Sequence, residues 1–335
     1  METPIFLAKE GIASAVELLK QESIVALPTE TVYGLAGNAF SPKALASIFE
    51  AKERPLSDPL IVHLLDISWL KRVVTLTLEL EKIVISLASA FWPGPLTLLL
   101  PRHAAVPDLV TAGLETVALR IPSHPVFRKV LSLVETPLAA PSANRFGRIS
   151  PTSASDVFME LQGKIPLILD GGLCQHGLES TILWPRKNLS TPPFPADGRS
   201  EDSEAEYLLQ ILRPGPITAE MLAPWGHVIT QSEKGQAPGS LESHYAPRKK
   251  LFWYHSGELP QENVGLLSFS KKIPGFRVNE VLSFSGNLLE AAANLYGALR
   301  RLDESPVEYL LVEPLSEVGL GFSIMDRLKR AVTSK

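Results

Sequence analysis

The chain is poor in the residues that would make it a disulfide scaffold, a zinc module or a nucleic-acid coat. It has one cysteine, Cys174, in 335 residues. A single thiol excludes an intrachain disulfide and a cysteine-rich zinc site, and it suits a reducing cytoplasm. Positive charge is not in excess: 32 basic residues stand against 36 acidic ones, a formal charge of −4. Bulk nucleic-acid binding calls for a basic face, so none is expected, although a local basic pocket is compatible with this balance. The opening Met1-Glu2-Thr3-Pro4 has neither a basic nor an apolar leader region, so no secretory signal is expected. Residues 83–101 are uncharged and long enough to cross a membrane, but Trp92-Pro93-Gly94-Pro95 breaks them near the centre. The expectation is a buried helix up to Phe91, a turn, and a strand from Leu96, with no membrane association.

Several catalytic signatures are also missing. There is no P-loop, no His-Glu-x-x-His and no Gly-x-Ser-x-Gly. Gly319-Leu320-Gly321 lacks the third glycine of a dinucleotide fingerprint and reads as a turn before a helix. Cys174 and His176 lie two apart without further clustered ligands, which favours a turn over a metal site. No internal repeat is visible.

What is present suits a soluble globular chain: 45% hydrophobic and 20% charged residues, with enough length for two domains. The stretch that organises the rest runs from Ile24 to His63. Ile24-Val25-Ala26-Leu27 is an apolar strand that breaks at Pro28 and leads into Thr29-Glu30-Thr31. Ala44, Leu45, Ile48 and Phe49 share one helical face. That helix runs into Lys52-Glu53-Arg54, and Pro55 forbids its continuation. Leu60-Ile61-Val62 is a second buried strand, closed by His63. In open α/β sheets, ligands sit beyond the carboxyl ends of strands. Thr29, Glu30, Thr31, Lys52, Arg54 and His63 are therefore expected to converge. The plainer alternative is that Lys52 and Arg54 form a solvated helix end that complements its dipole.

Further on, strand and helix patterns alternate, which favours an α/β layered architecture with some antiparallel pairing. Val117-Ala118-Leu119 ends at Arg120, and Leu138-Ala139-Ala140 breaks at Pro141 before Ser142-Ala143-Asn144. Ser153 with Asp156 predicts a capping box. Residues 185–204 are rich in proline and polar groups and read as an exposed insertion. Residues 229–250 read as a linker. Beyond it, strands at 251–254, 264–267, 281–284 and 309–312, with helices at 288–302 and 324–332, make a smaller unit. Lys52, Arg54, Arg120 and Arg213 are four cations at element ends among hydroxyl loops. That set suits a polyanionic ligand, with arginine gripping oxyanions in a bidentate fashion. From the residues alone this is a phosphate or nucleotide site with the reaction open.

The blocks Pro28-Thr29-Glu30-Thr31-Val32-Tyr33-Gly34-Leu35, Lys52-Glu53-Arg54-Pro55, Pro59-Leu60-Ile61-Val62-His63 and Trp92-Pro93-Gly94-Pro95-Leu96-Thr97 carry a resemblance. They are followed in order by 120–125, 140–144, 147–152, 179–182, 213–215 and 319–328. Together they resemble the YrdC-like family in its two-domain threonylcarbamoyl-AMP synthase form, over nearly the whole chain. The fold this implies is α/β: a large twisted mixed-sheet catalytic domain over 1–228, a linker over 229–250, and a smaller Rossmann-like α/β domain over 251–335. The activity it implies is formation of L-threonylcarbamoyladenylate from L-threonine, bicarbonate and ATP with Mg²⁺, releasing diphosphate and water. That is the first step toward threonylcarbamoyladenosine in tRNA, with the product passed to a tRNA threonylcarbamoyl transferase complex.

By position the resemblance puts Thr31, His63, Arg120, Ala140 and Ser180 at threonine. It puts Lys52, Arg54, Asp58, Thr116, Ser142, Asn144, Ser150 and Arg213 at ATP. No covalent nucleophile is expected. Asp58 departs from the neutral amide the family often has there, which puts a carboxylate near the phosphates that could instead help hold Mg²⁺ or ribose. The linker lacks the family's basic and aromatic residues before its histidine, which leaves His244 or Tyr245 as its contacts to ATP. Two other readings compete. A carbamoyl-adenylate transferase of metal-centre maturation would carry additional cysteines. An RNA-binding module would carry a basic stripe.

Overall fold

The computed structural model describes residues 2–187, 207–230, 245–255 and 263–332. The proline-rich stretch read at 185–204 lies outside them except for its first three residues, as do 231–244 of the expected linker, His244 included.

Among the described residues, eleven strands form one sheet. In spatial order they are Ile5–Leu7, Ile168–Asp170, Val25–Leu27, Gly34–Asn38, Leu138–Ala139, Ile61–His63, Thr116–Arg120, Leu96–Pro101, Thr181–Lys187, Tyr207–Arg213 and His227–Thr230. Directions are mixed: Ile61–His63 runs parallel to Thr116–Arg120 but antiparallel to Leu138–Ala139. Val25–Leu27 is buried at every position, as its unbroken apolar run requires. Helix Pro42–Lys52 starts where Ser41 accepts a hydrogen bond from the Ala44 amide. It stops at Glu53, which takes the left-handed conformation at φ 54°. The predicted capping box is present at helix Ala154–Leu161, with Ser153 and Asp156 each capping the other's backbone. Residues 83–101 divide as read, into helix Leu78–Phe91 and strand Leu96–Pro101. Among the described residues, no helix is long and apolar enough to cross a membrane.

A second, four-stranded sheet is wholly parallel, in the order Leu251–Trp253, Tyr309–Val312, Val264–Ser268 and Val278–Val281. Helices Leu288–Glu304 and Leu320–Val332 pack against it. Its core is not private. Val32, Ile149 and Leu178 from the large-sheet unit join Leu295, Leu299 and Ile324 in one apolar cluster. Gly177 shows how close the units come. Its φ is +66°, and a Cβ there would lie 2.5 Å from the carbonyl oxygen of Ala292.

Three expectations need correction. Between the strands at 25–27 and 61–63 lies a further strand, Gly34–Asn38, antiparallel to the first. Its sequence, Gly-Leu-Ala-Gly-Asn, has no β-branched residue to signal it. In the smaller unit the strand expected at 281–284 is Val278–Val281. Finally, the polar groups do not meet beyond a row of parallel carboxyl ends. Ile61 and His63, two apart, both line the pocket described below, so the pocket lies over a face of the sheet.

Candidate active site

The floor of the pocket follows from strand register. His63 pairs with Arg120, and Ile61 with Ala118. Leu99 lies opposite Ala118, and Thr97 pairs with Ile182. Side chains two apart share a face. One end of this face is therefore polar, with His63, Arg120 and Thr97. The next row is apolar: Ile61, Ala118 and Leu99 cluster with Ile182 and Leu212. Ser180 joins the polar end, its hydroxyl 2.7 Å from that of Thr97. The pocket above encloses about 550 Å³ of atom-free space, part of it open to solvent.

Loops close the sides. Thr29 accepts from the amides of Thr31 and Val32, a hydroxyl turn that brings Thr31 over the floor. Arg120 donates to the Thr31 hydroxyl at 2.8 Å and to the Gly94 carbonyl at 3.0 Å, and its guanidinium lies 2.6 Å from the Glu30 carboxylate. Burial alone would raise the Glu30 pKa. The charge and hydrogen bond of Arg120 outweigh it and hold it at about 2. His63 is pushed down to about 3 by burial, reinforced by the Arg120 charge, so its imidazole is neutral. Its Nδ1 is buried and has no hydrogen-bond partner among the described residues.

The helix-end cations are not solvated. Lys52 is 1% exposed and Arg54 8%. Both Ser142 and Asn144 offer carbonyls to the Lys52 ammonium at 2.6 Å. Burial, helped by the Arg54 charge, pulls the Lys52 pKa well below its usual value. Arg54 pairs with Asp58 at 2.9 Å, both side chains almost fully buried, and donates to the carbonyls of Asp58 and Pro59. Asp58 thus serves as the partner of Arg54, four residues along in the turn that follows the helix.

The remaining wall is built from 179–181 and 213–215. Arg213 donates to the carbonyl and hydroxyl of Ser180. Gly215 packs so closely that a Cβ would sit 2.5 Å from the Thr181 amide. Glu179 accepts from Ser150 at 2.5 Å, from Tyr296 at 2.9 Å and from Arg327 at 2.8 Å. Here too burial would raise the pKa, but Arg327 and Arg213 hold it at about 2.

Of the residues singled out from sequence, Thr31, His63, Arg120, Ala140, Ser180, Arg54, Ser142, Arg213 and Tyr245 line this one pocket. Five others do not. Lys52 and Asp58 stand behind it as described. Asn144 is also behind, taking a hydrogen bond from Ser142 and donating to the carbonyls of Arg145 and Arg148. Ser150 touches Glu179 from its far side. Thr116 shares the face of Arg120 but opens the strand, four residues away and opposite Pro101. Glu30 was seen in the organising stretch and Glu179 in a matching block, yet neither was given a role. The partners of Glu179 lie 117 and 148 residues further along, beyond the reach of any local pattern.

Comparison with known proteins agrees with this geometry. The Sua5/yciO/yrdC family model, described as telomere recombination, matches residues 17–191. A model described as threonylcarbamoyl-AMP synthase, C-terminal domain, matches residues 217–333. The chain is 37% identical to the threonylcarbamoyl-AMP synthase of Pyrococcus abyssi, over 96% of this chain and 93% of that one. It is 39% identical to that of Bacillus subtilis, over 96% and 92%. Among solved structures, P. abyssi Sua5 complexed with L-threonine superposes with a TM-score of 0.83 at 33% identity, covering 99% of this chain and 98% of that chain. The chain belongs to the Sua5/yciO/yrdC family, in the form that carries the additional C-terminal unit.

Proposed function

We propose that the protein is a threonylcarbamoyl-AMP synthase, converting L-threonine, bicarbonate and ATP to L-threonylcarbamoyladenylate, diphosphate and water. The observation that carries this reading is the divided floor: a polar end ringed by His63, Arg120, Thr31 and Ser180 continues to Ile61, which caps the buried apolar cluster of Ala118, Leu99, Ile182 and Leu212. An amino acid suits the first and a nucleoside the second. Thr116 lies four strand residues from Arg120, about 13 Å at the usual rise. In this reading it lies toward the nucleoside end of an ATP whose phosphates face Arg54, Ser142 and Arg213.

Arg120 takes the threonine carboxylate. A guanidinium has five N–H donors, so it can hold Glu30 and Thr31 and still bind an oxyanion. Neutral His63 offers an uncharged imidazole beside the amino acid, which leaves the carboxylate as the only charge Arg120 must meet there. The threonine amine attacks the carbon of bicarbonate, or of the carbon dioxide derived from it, and water leaves. A carbamate oxygen then bonds to the α-phosphorus as the bond to the diphosphate oxygen breaks. Nothing in this sequence needs an enzyme nucleophile. Orientation and fixed positive charge suffice, with Arg54 and Arg213 facing the charge that builds on the departing diphosphate. Mg²⁺ enters as part of the nucleotide substrate. The described residues hold no cluster of three metal-ligating side chains, and Asp58, Glu30 and Glu179 are each ion-paired.

The product is an activated carbamoyl-phosphate anhydride, so a transferase acting on tRNA is its consumer in this reading, in the cytoplasm. The catalytic unit is 1–228 and the smaller unit 251–335. Strand His227–Thr230 extends the large sheet by pairing with Tyr207–Arg213, so this unit runs at least to Thr230, two residues past the boundary expected from sequence. Incubation with MgATP, bicarbonate and labelled threonine tests the reading. Diphosphate release should require both threonine and bicarbonate, with label appearing in an adenylate. Release indifferent to either would overturn it.

A further inference from the structure

One wall of the pocket carries a carboxylate, Glu179, which is unexpected beside a triphosphate. Lys52, Arg54, Arg120 and Arg213 surround the site together with the carboxylates Glu30, Asp58 and Glu179. Two of these carboxylates are neutralised inside the large-sheet unit, by Arg120 and Arg54. Glu179 is different. It lines the pocket, and its ion-pair partner Arg327 comes from helix Leu320–Val332 of the smaller unit. Arg327 is 1% exposed and does not itself line the pocket. It also donates to the Pro214 carbonyl at 2.9 Å, and one helical turn earlier Ser323 donates to the Gly215 carbonyl at 2.9 Å. Tyr296, from the other helix, donates to Glu179 and stacks on Tyr245, a further lining residue.

We propose that Arg327 is a positioning residue for the nucleotide: by masking Glu179, it makes the wall that carries this carboxylate compatible with phosphates. The inference rests on the reading of the pocket as an ATP site. Without Arg327 the charge of Glu179 would fall to Arg213, a guanidinium that itself lines the pocket. An unmasked carboxylate beside a phosphate chain, in a medium less polar than water, repels it far more strongly than it would in solution. If Arg327 were merely cement between units, its loss would lower stability and leave the folded protein's affinities alone.

Full-length wild type, Arg327→Met, Glu179→Gln and the double variant separate these. Calorimetric titration measures MgATP and L-threonine binding to each, with circular dichroism reporting the folded state. Arg327→Met should weaken MgATP binding at least about tenfold and threonine binding by less than about twofold. The double variant, which has neither charge, should bind MgATP within about threefold of wild type. Folded Arg327→Met with wild-type MgATP affinity overturns the proposal, as does a double variant as weak as the single one. If Arg327→Met does not fold, the double variant decides alone: near-wild-type MgATP affinity supports the proposal and a tenfold loss overturns it. Wild type that binds no MgATP would instead remove the synthase reading on which the proposal stands.

Discussion

The two walls of the pocket are held in opposite ways. The wall of Thr31, Arg54 and Arg120 is self-contained: Arg54 finds Asp58 four residues on, and Arg120 finds Glu30 across the same sheet. The wall of Glu179, Ser180 and Arg213 borrows its support, since Tyr296, Ser323 and Arg327 all come from the smaller unit. Both walls obey one rule. A charge beneath a polyanion pocket must be fixed in place, and fixing it in a dry interior requires an opposite charge nearby. What differs is who supplies it, and therefore which substitutions disturb catalysis through charge and which through docking.

The largest effect is expected at the self-contained wall. Arg54→Ala should abolish threonine-dependent diphosphate release, by more than about 100-fold. It should also lower stability in urea by about 3–5 kcal/mol, because the buried Asp58 carboxylate loses the guanidinium it is paired with. The double change Arg54→Met with Asp58→Leu should restore most of that stability and none of the activity. An active double variant would show that this wall is scaffolding.

Next comes a contact between the units that avoids the pocket. Arg300 pairs with Glu160 at 3.1 Å and reaches the Ile149 carbonyl. Arg300→Met should cost about 3 kcal/mol of stability while KM for ATP and for threonine stay within about twofold. A rise in KM for ATP matching that of Arg327→Met would mean that docking of the smaller unit, and not the charge at 327, governs the borrowed wall.

The smallest effect is a pH dependence. His63 titrates at about 3 folded and about 6.5 unfolded. Between these values the unfolded chain binds the extra proton, so stability falls as pH drops below 6.5. Glu30 and Glu179, held at about 2, contribute stability that is lost only as pH falls from about 4.5 toward 2. Urea midpoints at pH 7 and pH 5 should therefore fall further apart for wild type than for His63→Gln, by up to about 2 kcal/mol in free energy. Equal separation would place the acid sensitivity in the carboxylates.

The self-contained wall was largely legible before folding, because its signals are local. Pro55 marks the helix end that presents Arg54, and apolar runs mark the strands that end at His63 and Arg120. What could not be read was depth. A cation at a helix terminus looks solvated in sequence, whereas Lys52 and Arg54 are covered by loops some 90 residues away or by the turn that follows them. The borrowed wall was illegible for a plainer reason. Nothing around Glu179 announces that a buried arginine 148 residues later will neutralise it. Thr116 is assigned to ATP by motif position alone: it opens its strand opposite Pro101 and is not among the residues lining the pocket.

The sequence distance between Glu179 and Arg327 also sets a schedule. As the polypeptide leaves the ribosome, the glutamate emerges long before the helix that will cover it, so a nascent first unit holds this carboxylate without Arg327 at its side. If the charge mask operates as proposed, nucleotide affinity arrives late in biosynthesis, at the moment the last helix docks. A frameshift just upstream of residue 320 would then yield a product that has every residue lining the pocket and has lost its grip on ATP.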